Sequence, residues 1–509
     1  MFTPFEHRPP DSATDNRPHA AVIGSGLGGL AAAIRLGARG YRVTVFEKLD
    51  QPGGRASVFR QDGFTFDAGP TIITAPFILD ELWSQAGAKF SDDVTLTPLH
   101  PFYDIRFDDG TVMSCSADPE AMRAEVRRIS PGDVAGYDTF MAESERIYRI
   151  GFEQLGHVPF GSPVDMLKIA PDLLRLGAWR TVHQHVAARV KHPKIRMALS
   201  FHPLFIGGNP FKVTAIYSMI AHLEREYGVH WAKGGTGQLV RGMAKLIERQ
   251  GGAIALNSGV DEITCEGNRA SGVRLEDGRE VKASIVVSNA ETAHTYLKLL
   301  RNAPRKRWSD AKLKRARYSM SLFVWYFGTN RQYADVRHHT IMMGPRYREL
   351  LHDIFERKRL AGDFSLYLHR PTASDPSLAP AGCESFYVLS PVPHQDSGID
   401  WTRRAATYRD AIAAHLEATV LPGLRDHIIS EKIITPIDFE NRLSSYKGAA
   451  FGLEPVLLQS AWFRPNNKAE DIENLFLVGA GTHPGAGIPG VISSARILDT
   501  VVPHASAFV

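Results

Sequence analysis

The sequence predicts an α/β fold whose first unit is Rossmann-like, and three adjoining features support this. Residues 19–23 are a short apolar run typical of a buried strand, and residues 24–29 (GSGLGG) match the spacing G-x-G-x-x-G. Small and aliphatic residues then continue as a helix to Ala38, and residues 41–46 indicate a second buried strand. Glu47 ends that strand about 20 residues after the glycines, where a carboxylate would bind the ribose of a dinucleotide.

The glycines are explained by the anion that they would bind. A side chain at Gly24 or Gly26 would keep the backbone away from a pyrophosphate. The helix that follows offers free N–H groups and the positive end of its dipole. We therefore expect this unit to bind the cofactor through Gly24, Gly26, Gly28, Gly29 and Glu47.

Composition narrows the class of protein. The chain has 509 residues, 44% hydrophobic and 22% charged, which is enough for two or more domains with their own cores. Its net charge is only +4, without dense Lys/Arg blocks, so no nucleic-acid partner is expected. Cys115, Cys265 and Cys383 are far apart and lack metal-ligand spacing, so neither a disulfide framework nor a metal site is predicted.

The first 18 residues are polar and rich in proline, and they lack the apolar core of a secretory signal. We interpret residues 1–18 as a disordered tail. No run approaches the roughly 18 uncharged apolar residues of a spanning helix, so any membrane contact is expected to be peripheral.

Two further turns directly follow the nucleotide-binding unit. Residues 51–55 (QPGGR) and 67–71 (DAGPT) could each form a simple turn, but their position lets Arg55 and the glycine backbone reach the same phosphates. We therefore extend the expected cofactor site to Lys48, Gly54, Arg55, Gly69, Pro70 and Thr71.

The middle of the chain differs in character from its ends. Residues 76–140 mix a helical pattern with short strands, and residues 141–230 are predominantly helical, with prolines between the segments. Within the latter, residues 166–194 interleave apolar side chains with six Lys/Arg. The commoner interpretation is a core-facing helix pair; the alternative is a surface that lies on a membrane.

Two later segments return to the predicted cofactor site. A buried strand at residues 284–287 ends in Ser-Asn-Ala, at the sheet edge where ligands of Rossmann-like folds bind. Residues 474–491 then give a strand, a glycine-rich crossing and a helix whose N-terminus can face an anion or a ring edge. These segments add Val260, Asn289, Gly479, Gly481, Gly487, Pro489 and Val491 to the expected site.

Taken together, these motifs resemble the FAD-containing amine-oxidase and carotenoid-desaturase superfamily, and more narrowly the bacterial phytoene desaturases of the purple-bacterial type. The resemblance spans nearly the whole chain. It rests on residues 24–47, 53–55, 67–71, 202–211 (HPLFIGGNPF), 319–328, 459–464 (QSAWFR) and 477–491 (LVGAGTHPGAGIPGV).

The resemblance implies a discontinuous Rossmann-like FAD-binding domain with a mixed-sheet substrate domain and a helical membrane-proximal region. The expected division is 19–75, 231–290 and 466–509 for FAD, 76–140 and 291–465 for substrate, and 141–230 for the helical region. The implied reaction is stepwise desaturation of phytoene, a C40 polyene, to neurosporene or lycopene. Electrons would pass to oxygen or a quinone at the cytoplasmic side of a bacterial membrane.

The flavin would carry the hydride step, and no catalytic side chain is identified. His202 and His483 lie in family motifs, but a lone histidine is more often structural. A carotenoid isomerase, an amine oxidase and a non-catalytic prenyl-chain carrier of the same fold remain alternatives, and the complete phosphate-binding set weighs against the carrier. Residues 166–194 and the basic segment 301–317 are the candidate membrane surfaces.

Overall fold

The computed structural model describes residues 15–508. The tail predicted over residues 1–18 therefore lies mostly outside the described residues. The strands are β1 His19–Ile23, β2 Arg42–Phe46, β3 Val58–Gln61, β4 Phe64–Asp67, β5 Leu96–Pro98, β6 Tyr103–Phe107, β7 Val112–Cys115, β8 His230–Ala232, β9 Ala253–Ala255, β10 Val260–Glu266, β11 Arg269–Leu275, β12 Glu280–Lys282, β13 Ile285–Ser288, β14 Ser321–Thr329, β15 His339–Met343, β16 Leu366–His369, β17 Glu384–Val392, β18 Ile428–Ile434 and β19 Leu475–Leu477.

The α-helices within the described residues lie between and after these strands, and α3 to α8 follow one another without a strand between them. They are α1 Leu27–Ala38, α2 Pro76–Gln85, α3 Pro119–Ile129, α4 Val134–Tyr148, α5 Pro163–Arg175, α6 Val182–Ala187, α7 Pro193–Ser200, α8 Met219–Tyr227, α9 Gly237–Arg249, α10 Thr292–His294, α11 Asp310–Arg315, α12 Tyr347–His352, α13 Trp401–Thr419, α14 Leu424–His427, α15 Pro436–Leu443, α16 Ile488–Arg496 and α17 Leu498–Val501.

A five-stranded parallel sheet in the order β19-β13-β1-β2-β9 confirms the Rossmann-like prediction. The first strand of the chain lies at its centre, and α1 packs with α9 and α16 in the core beside it. Leu30, Ile34 and Leu36 of α1 are fully buried there, because both faces of a parallel sheet are covered. The predicted hairpin over residues 269–282 is also present, as β11 and β12.

Residues 76–94 pack in this first core rather than with the substrate domain in which we expected them. Helix α2 contacts α1 and α16, and its Leu79, Leu82 and Trp83 are buried in the same cluster. The sequence pattern of α2 is amphipathic but does not say which core its apolar face meets. By packing, the first segment of the nucleotide-binding domain thus runs beyond residue 75.

The second layer is a seven-stranded mixed sheet in the order β18-β14-β17-β16-β15-β6-β7. Its neighbours are antiparallel except β15 and β6. On β14, Phe323, Trp325 and Phe327 pack under α13, while Val324 and Tyr326 pack in the other core. This alternation follows from the two-residue period of a strand, and it turns the second set toward the nucleotide-binding domain.

Residues 134–227 are largely helical, as predicted, but the expected helix pair over 166–194 is broken into shorter pieces. Helix α5 ends at Arg175, Gly177 turns the chain with a φ of +68°, and α6 and α7 follow as short helices. Over residues 164–175 of helix α5, no side chain is buried. Among the described residues no helix combines the length and apolar character needed to cross a membrane.

Candidate functional site

A cavity of about 670 Å³ lies between the two sheets, at the carboxyl edge of the parallel one. Sixteen of the eighteen predicted cofactor residues line it, although they come from all parts of the chain. They are Gly24, Gly26, Gly28, Glu47, Lys48, Gly54, Arg55, Gly69, Pro70, Thr71, Val260, Asn289, Gly479, Gly487, Pro489 and Val491. Parallel strands end at one edge of a sheet, and this brings the separate segments together.

The other two predicted residues, Gly29 and Gly481, lie behind the cavity wall. A Cβ atom on Gly29 would be 2.0 Å from the Gly24 carbonyl oxygen, and one on Gly481 would be 1.7 Å from Thr292 Oγ1. Both glycines therefore allow close packing of backbone behind the site. Gly29 is the motif position that brings the helix against the strand, and sequence spacing alone does not separate this role from ligand contact.

Asn289 holds the glycine turn in place from the next strand of the sheet. Its Nδ2 donates to the Gly24 carbonyl oxygen at 3.3 Å. Added Cβ atoms on Gly26 and Gly28 would each come within 2.8 Å of the same amide group. The turn after β1 and the end of β13 thus form one continuous floor of the cavity.

Glu47 lies at the end of β2, and its side chain is only 5% exposed. One carboxylate oxygen accepts hydrogen bonds from Ser25 N at 2.8 Å and Ser25 Oγ at 2.6 Å, and the other accepts from Leu49 N at 2.9 Å. Charge-assisted bonds of this kind are the stronger class. Glu47 therefore shapes the glycine turn as well as lining the cavity.

Arg55 and Glu291 both line the cavity, and each has a buried polar atom without a hydrogen-bond partner in the part of the chain that the structure describes. Arg55 Nη2 donates to Ser445 Oγ at 2.7 Å, whereas Arg55 Nε and Glu291 Oε1 are buried without a partner among the described residues. Burial lowers the pKa of Arg55 and raises the pKa of Glu291 to about 7. Lys48, whose pKa burial also lowers, donates to Ser444 Oγ at 2.7 Å.

These features fit FAD. At Gly24, Gly54 and Gly487 the backbone has a positive φ, and an added Cβ would meet no atom closer than 3.4 Å. The space beside these glycines is therefore open to a ligand. The helix N-terminus, the buried guanidinium and the unpartnered polar atoms suit a pyrophosphate and a polar ring system.

At the end of the cavity near the mixed sheet, the predicted residue Thr71 meets two tyrosine hydroxyl groups that sequence reasoning missed. Thr71 Oγ1 lies 2.8 Å from the Tyr367 hydroxyl and 3.0 Å from the Tyr387 hydroxyl, and Tyr387 donates to Gly69 O at 3.1 Å. Both tyrosines come from strands about 300 residues after Thr71. No local motif marks them, and only the register of β16 with β17 brings them together.

The two motif histidines have structural partners. His483 Nε2 donates to Leu155 O at 3.0 Å, and His202 Nε2 lies 3.2 Å from Glu224 Oε2. Glu224 also accepts from the Tyr103 hydroxyl at 2.6 Å. Glu224, which the sequence analysis missed, lines the cavity beside apolar residues of α8.

Four of the eight cations in the basic segment 301–317 form ion pairs within the described part of the protein. Three of these four cations meet carboxylates that are distant in sequence, which composition could not reveal, and Arg305 meets Asp310 of the same segment. The pairs are Arg301 with Asp261 (2.6 Å), Arg305 with Asp310 (2.6 Å), Arg307 with Glu470 (3.3 Å), and Arg317 with Glu356 and Glu454 (2.7 Å each).

Comparison with known proteins also indicates a flavin-binding protein. The family model for flavin-containing amine oxidoreductase matches residues 27–497. A neurosporene-forming phytoene desaturase of Cereibacter sphaeroides is 51% identical over 502 residues, which cover 98% of this chain and 97% of the relative. A lycopene-forming phytoene desaturase of Pantoea ananas is 49% identical over 476 residues, covering 93% and 97%.

Solved structures show the same fold at low identity. A putrescine oxidase bound to putrescine has a TM-score of 0.62 at 14% identity and covers 96% of this chain and 99% of its own. Cyclohexylamine oxidase from Brevibacterium oxydans has a TM-score of 0.61 at 17% identity, covering 97% and 99%.

Proposed function

Since the chain belongs to the flavin-containing amine oxidoreductase family and groups there with bacterial phytoene desaturases, we propose that it is an FAD-dependent phytoene desaturase. It would introduce C=C bonds stepwise to give neurosporene or lycopene. The single observation that carries this proposal is the cavity, which joins a dinucleotide-binding edge to an apolar chamber.

The predicted residues would divide the binding of FAD among themselves. The backbone at Gly24, Gly26 and Gly54 would hold the pyrophosphate, and Glu47 would accept hydrogen bonds from the ribose hydroxyls. When bound, oxidised flavin supplies a hydride acceptor, which side chains cannot be. The chain's own contribution is position and exclusion of water: Leu204, Phe205 and other apolar residues line the chamber beyond the glycines.

Pigment analysis in a host that accumulates phytoene tests the proposal. The expected result is conversion of phytoene to coloured products, with FAD bound to the purified protein. Unchanged phytoene, with folded protein and bound FAD, would contradict the proposal. Anaerobic incubation separates an isomerase, because only a desaturase bleaches oxidised flavin stoichiometrically, and reduction by a polar amine would favour an amine oxidase.

Glu47 gives a separate test of the cofactor site. Glu47→Ala should weaken FAD binding by roughly 1.5–3 kcal/mol, since a charge-assisted partner is lost. Glu47→Gln is the matched control because it retains an acceptor for Ser25 and should lose less affinity. Wild-type FAD affinity in Glu47→Ala would show that the carboxylate is wrongly assigned.

We further propose that the protein takes its substrate from the cytoplasmic side of a membrane and passes electrons to oxygen or a quinone. The contact surface would be α5 and the turn after it, where Val164, Leu167, Leu174 and Trp179 are among the most exposed large apolar side chains described. Arg175 and Arg180 are exposed or half-buried beside them. The basic segment 301–317 becomes the weaker candidate, because four of its eight cations are already paired with carboxylates of the protein.

The cations at the end of the segment 166–194 are also engaged within the protein. Arg189 binds Glu143 at 2.6 Å, and Lys194 binds Asp109. Reversing their charges would therefore disturb packing as well as any lipid contact. The surface is better tested at α5 itself.

A further inference from the structure

Three buried histidines lie behind the cavity wall on the mixed sheet. His339 on β15 pairs in register with His369 on β16, and His338 immediately precedes β15. One ring nitrogen of each lies within 4.8 Å of the others, and their exposed fractions are 6% or less. Burial lowers the pKa of His338 to about 3 and those of His339 and His369 well below the usual range. Burial thus favours the neutral form of all three imidazoles.

Hydrogen bonds connect this cluster to the cavity on one side. The Tyr367 hydroxyl, in the cavity wall, lies 2.8 Å from Thr71 Oγ1 and 2.7 Å from His339 Nδ1. His339 Nδ1 is 3.3 Å from His369 Nδ1. A polar path thus leads from the chamber into the sheet.

On the other side the cluster reaches solvent. His338 Nδ1 lies 2.7 Å from Ser374 Oγ, and Ser374 is exposed. The rings of His338 and His339 have their centroids 4.5 Å apart, and those of His338 and His369 are 4.9 Å apart. The three imidazoles are therefore in ring contact between Tyr367 and the exposed Ser374, and a proton that reaches His338 has to cross this ring contact, because no hydrogen bond within residues 15–508 joins the His338 ring to the other two rings.

The histidine cluster does not favour the stability of the folded protein. The Nε2 atoms of all three histidines are buried and lack a hydrogen-bond partner within residues 15–508. Leaving such an atom unsatisfied costs roughly 1–3 kcal/mol, and apolar residues would pack there without that cost. Local rules are broken in this way mainly at functional sites.

The desaturation chemistry suggests a role for the histidine cluster, and this inference rests on the proposed function. Formation of each double bond removes a hydride and a proton from adjacent carbons. The flavin would accept the hydride. The electron pair of the second C–H bond becomes the new π bond, so a bare proton is left in an apolar chamber.

We propose that the Tyr367 hydroxyl oxygen accepts this proton while passing its own to His339 Nδ1, and that the histidine cluster carries it to Ser374 and water. Two charged groups favour this direction. Asp67 Oδ2 lies 3.9 Å from His369 Nε2 and stabilises positive charge in the cluster. Arg370 opposes positive charge on His338, so a proton does not remain there.

The variant His339→Asn tests the relay. Asparagine keeps a hydrogen-bond acceptor for Tyr367 but cannot carry a proton. If His339 only orients Tyr367, this variant should react like the wild type. If it carries the proton, the rate of anaerobic flavin reduction by phytoene should fall at least about 100-fold, the usual scale of acid–base catalysis.

Tyr367→Phe is the second variant and should show a similar loss, since it removes the group in the cavity wall. His394→Asn is the matched control, because His394 is 3% exposed and lies outside the cavity lining. FAD content and thermal midpoint, measured on all three variants, separate a chemical loss from misfolding.

Two results would overturn the relay, and a third would overturn the proposed function instead. A wild-type rate in a folded His339→Asn or Tyr367→Phe protein overturns the relay. So does about one equivalent of metal per chain by elemental analysis that His369→Ala loses, because the imidazole lone pairs would then hold a cation. If the wild-type protein itself leaves phytoene unchanged, it is the proposed function that fails.

Discussion

The exposed leucines of α5 determine how large the apolar part of the proposed membrane affinity should be. Leu167 is 72% exposed and Leu174 is 67% exposed. Full burial of a leucine side chain contributes about 1.5–3 kcal/mol, so moving these fractions into the acyl boundary contributes about 1–2 kcal/mol each. The double variant Leu167→Ser, Leu174→Ser should therefore lose about 2–4 kcal/mol of membrane affinity, or about 30- to 700-fold in partitioning.

Sedimentation with vesicles of a neutral lipid measures this change directly, because such vesicles report the apolar contribution alone. The folded protein should be unaffected, since neither side chain is buried in a core. Ile429→Ser is the matched control: Ile429 on β18 is 50% exposed but distant in the chain from α5. A double variant that sediments like the wild type, or a control that loses as much, would refute α5 as the contact.

Three further predictions follow from the same structure. Gly29→Ala should destabilise the protein by about 1–3 kcal/mol or prevent folding, because its Cβ meets Gly24 O at 2.0 Å, whereas Gly132→Ala, with no atom within 4 Å, should leave the thermal midpoint unchanged. Because burial raises the pKa of Glu291 to about 7, the native state holds a proton that the unfolded state releases, and stability falls as pH rises from about 4.5 to 7; Glu291→Gln should therefore raise the midpoint at pH 8 but not at pH 4.5. Arg175→Gln with Arg180→Gln should weaken binding to anionic vesicles by about 2 kcal/mol at low salt, and leave binding to neutral vesicles unchanged.

Local signals were enough to predict the nucleotide-binding unit. The strand, glycine turn, helix and acid of residues 19–47 are adjacent in the chain, and the structure reproduces their order with β1, α1 and β2. The same holds for the hairpin of β11 and β12, since a turn fixes the pairing of its own strands.

Features that depend on contacts between distant segments of the chain could not be predicted from the sequence. Residues 76–94 were expected in the other domain because amphipathicity does not name the partner of an apolar face. His339 and His369 lie 30 residues apart, and only the register of β15 with β16 sets them side by side. Likewise, the charge pattern of residues 301–317 could not show that Asp261, Glu356, Glu454 and Glu470 pair with three of its eight cations.

The order of the parallel sheet has a consequence during synthesis on the ribosome. β1 emerges first and can pair with β2 at once, but its other neighbour is β13, which begins at residue 285, and β19 completes the sheet only at residue 475. Until then an apolar strand edge is open to wrong partners. Expression yield should accordingly depend on chaperones that shield nascent chains, and should improve when translation is slowed or the temperature is lowered.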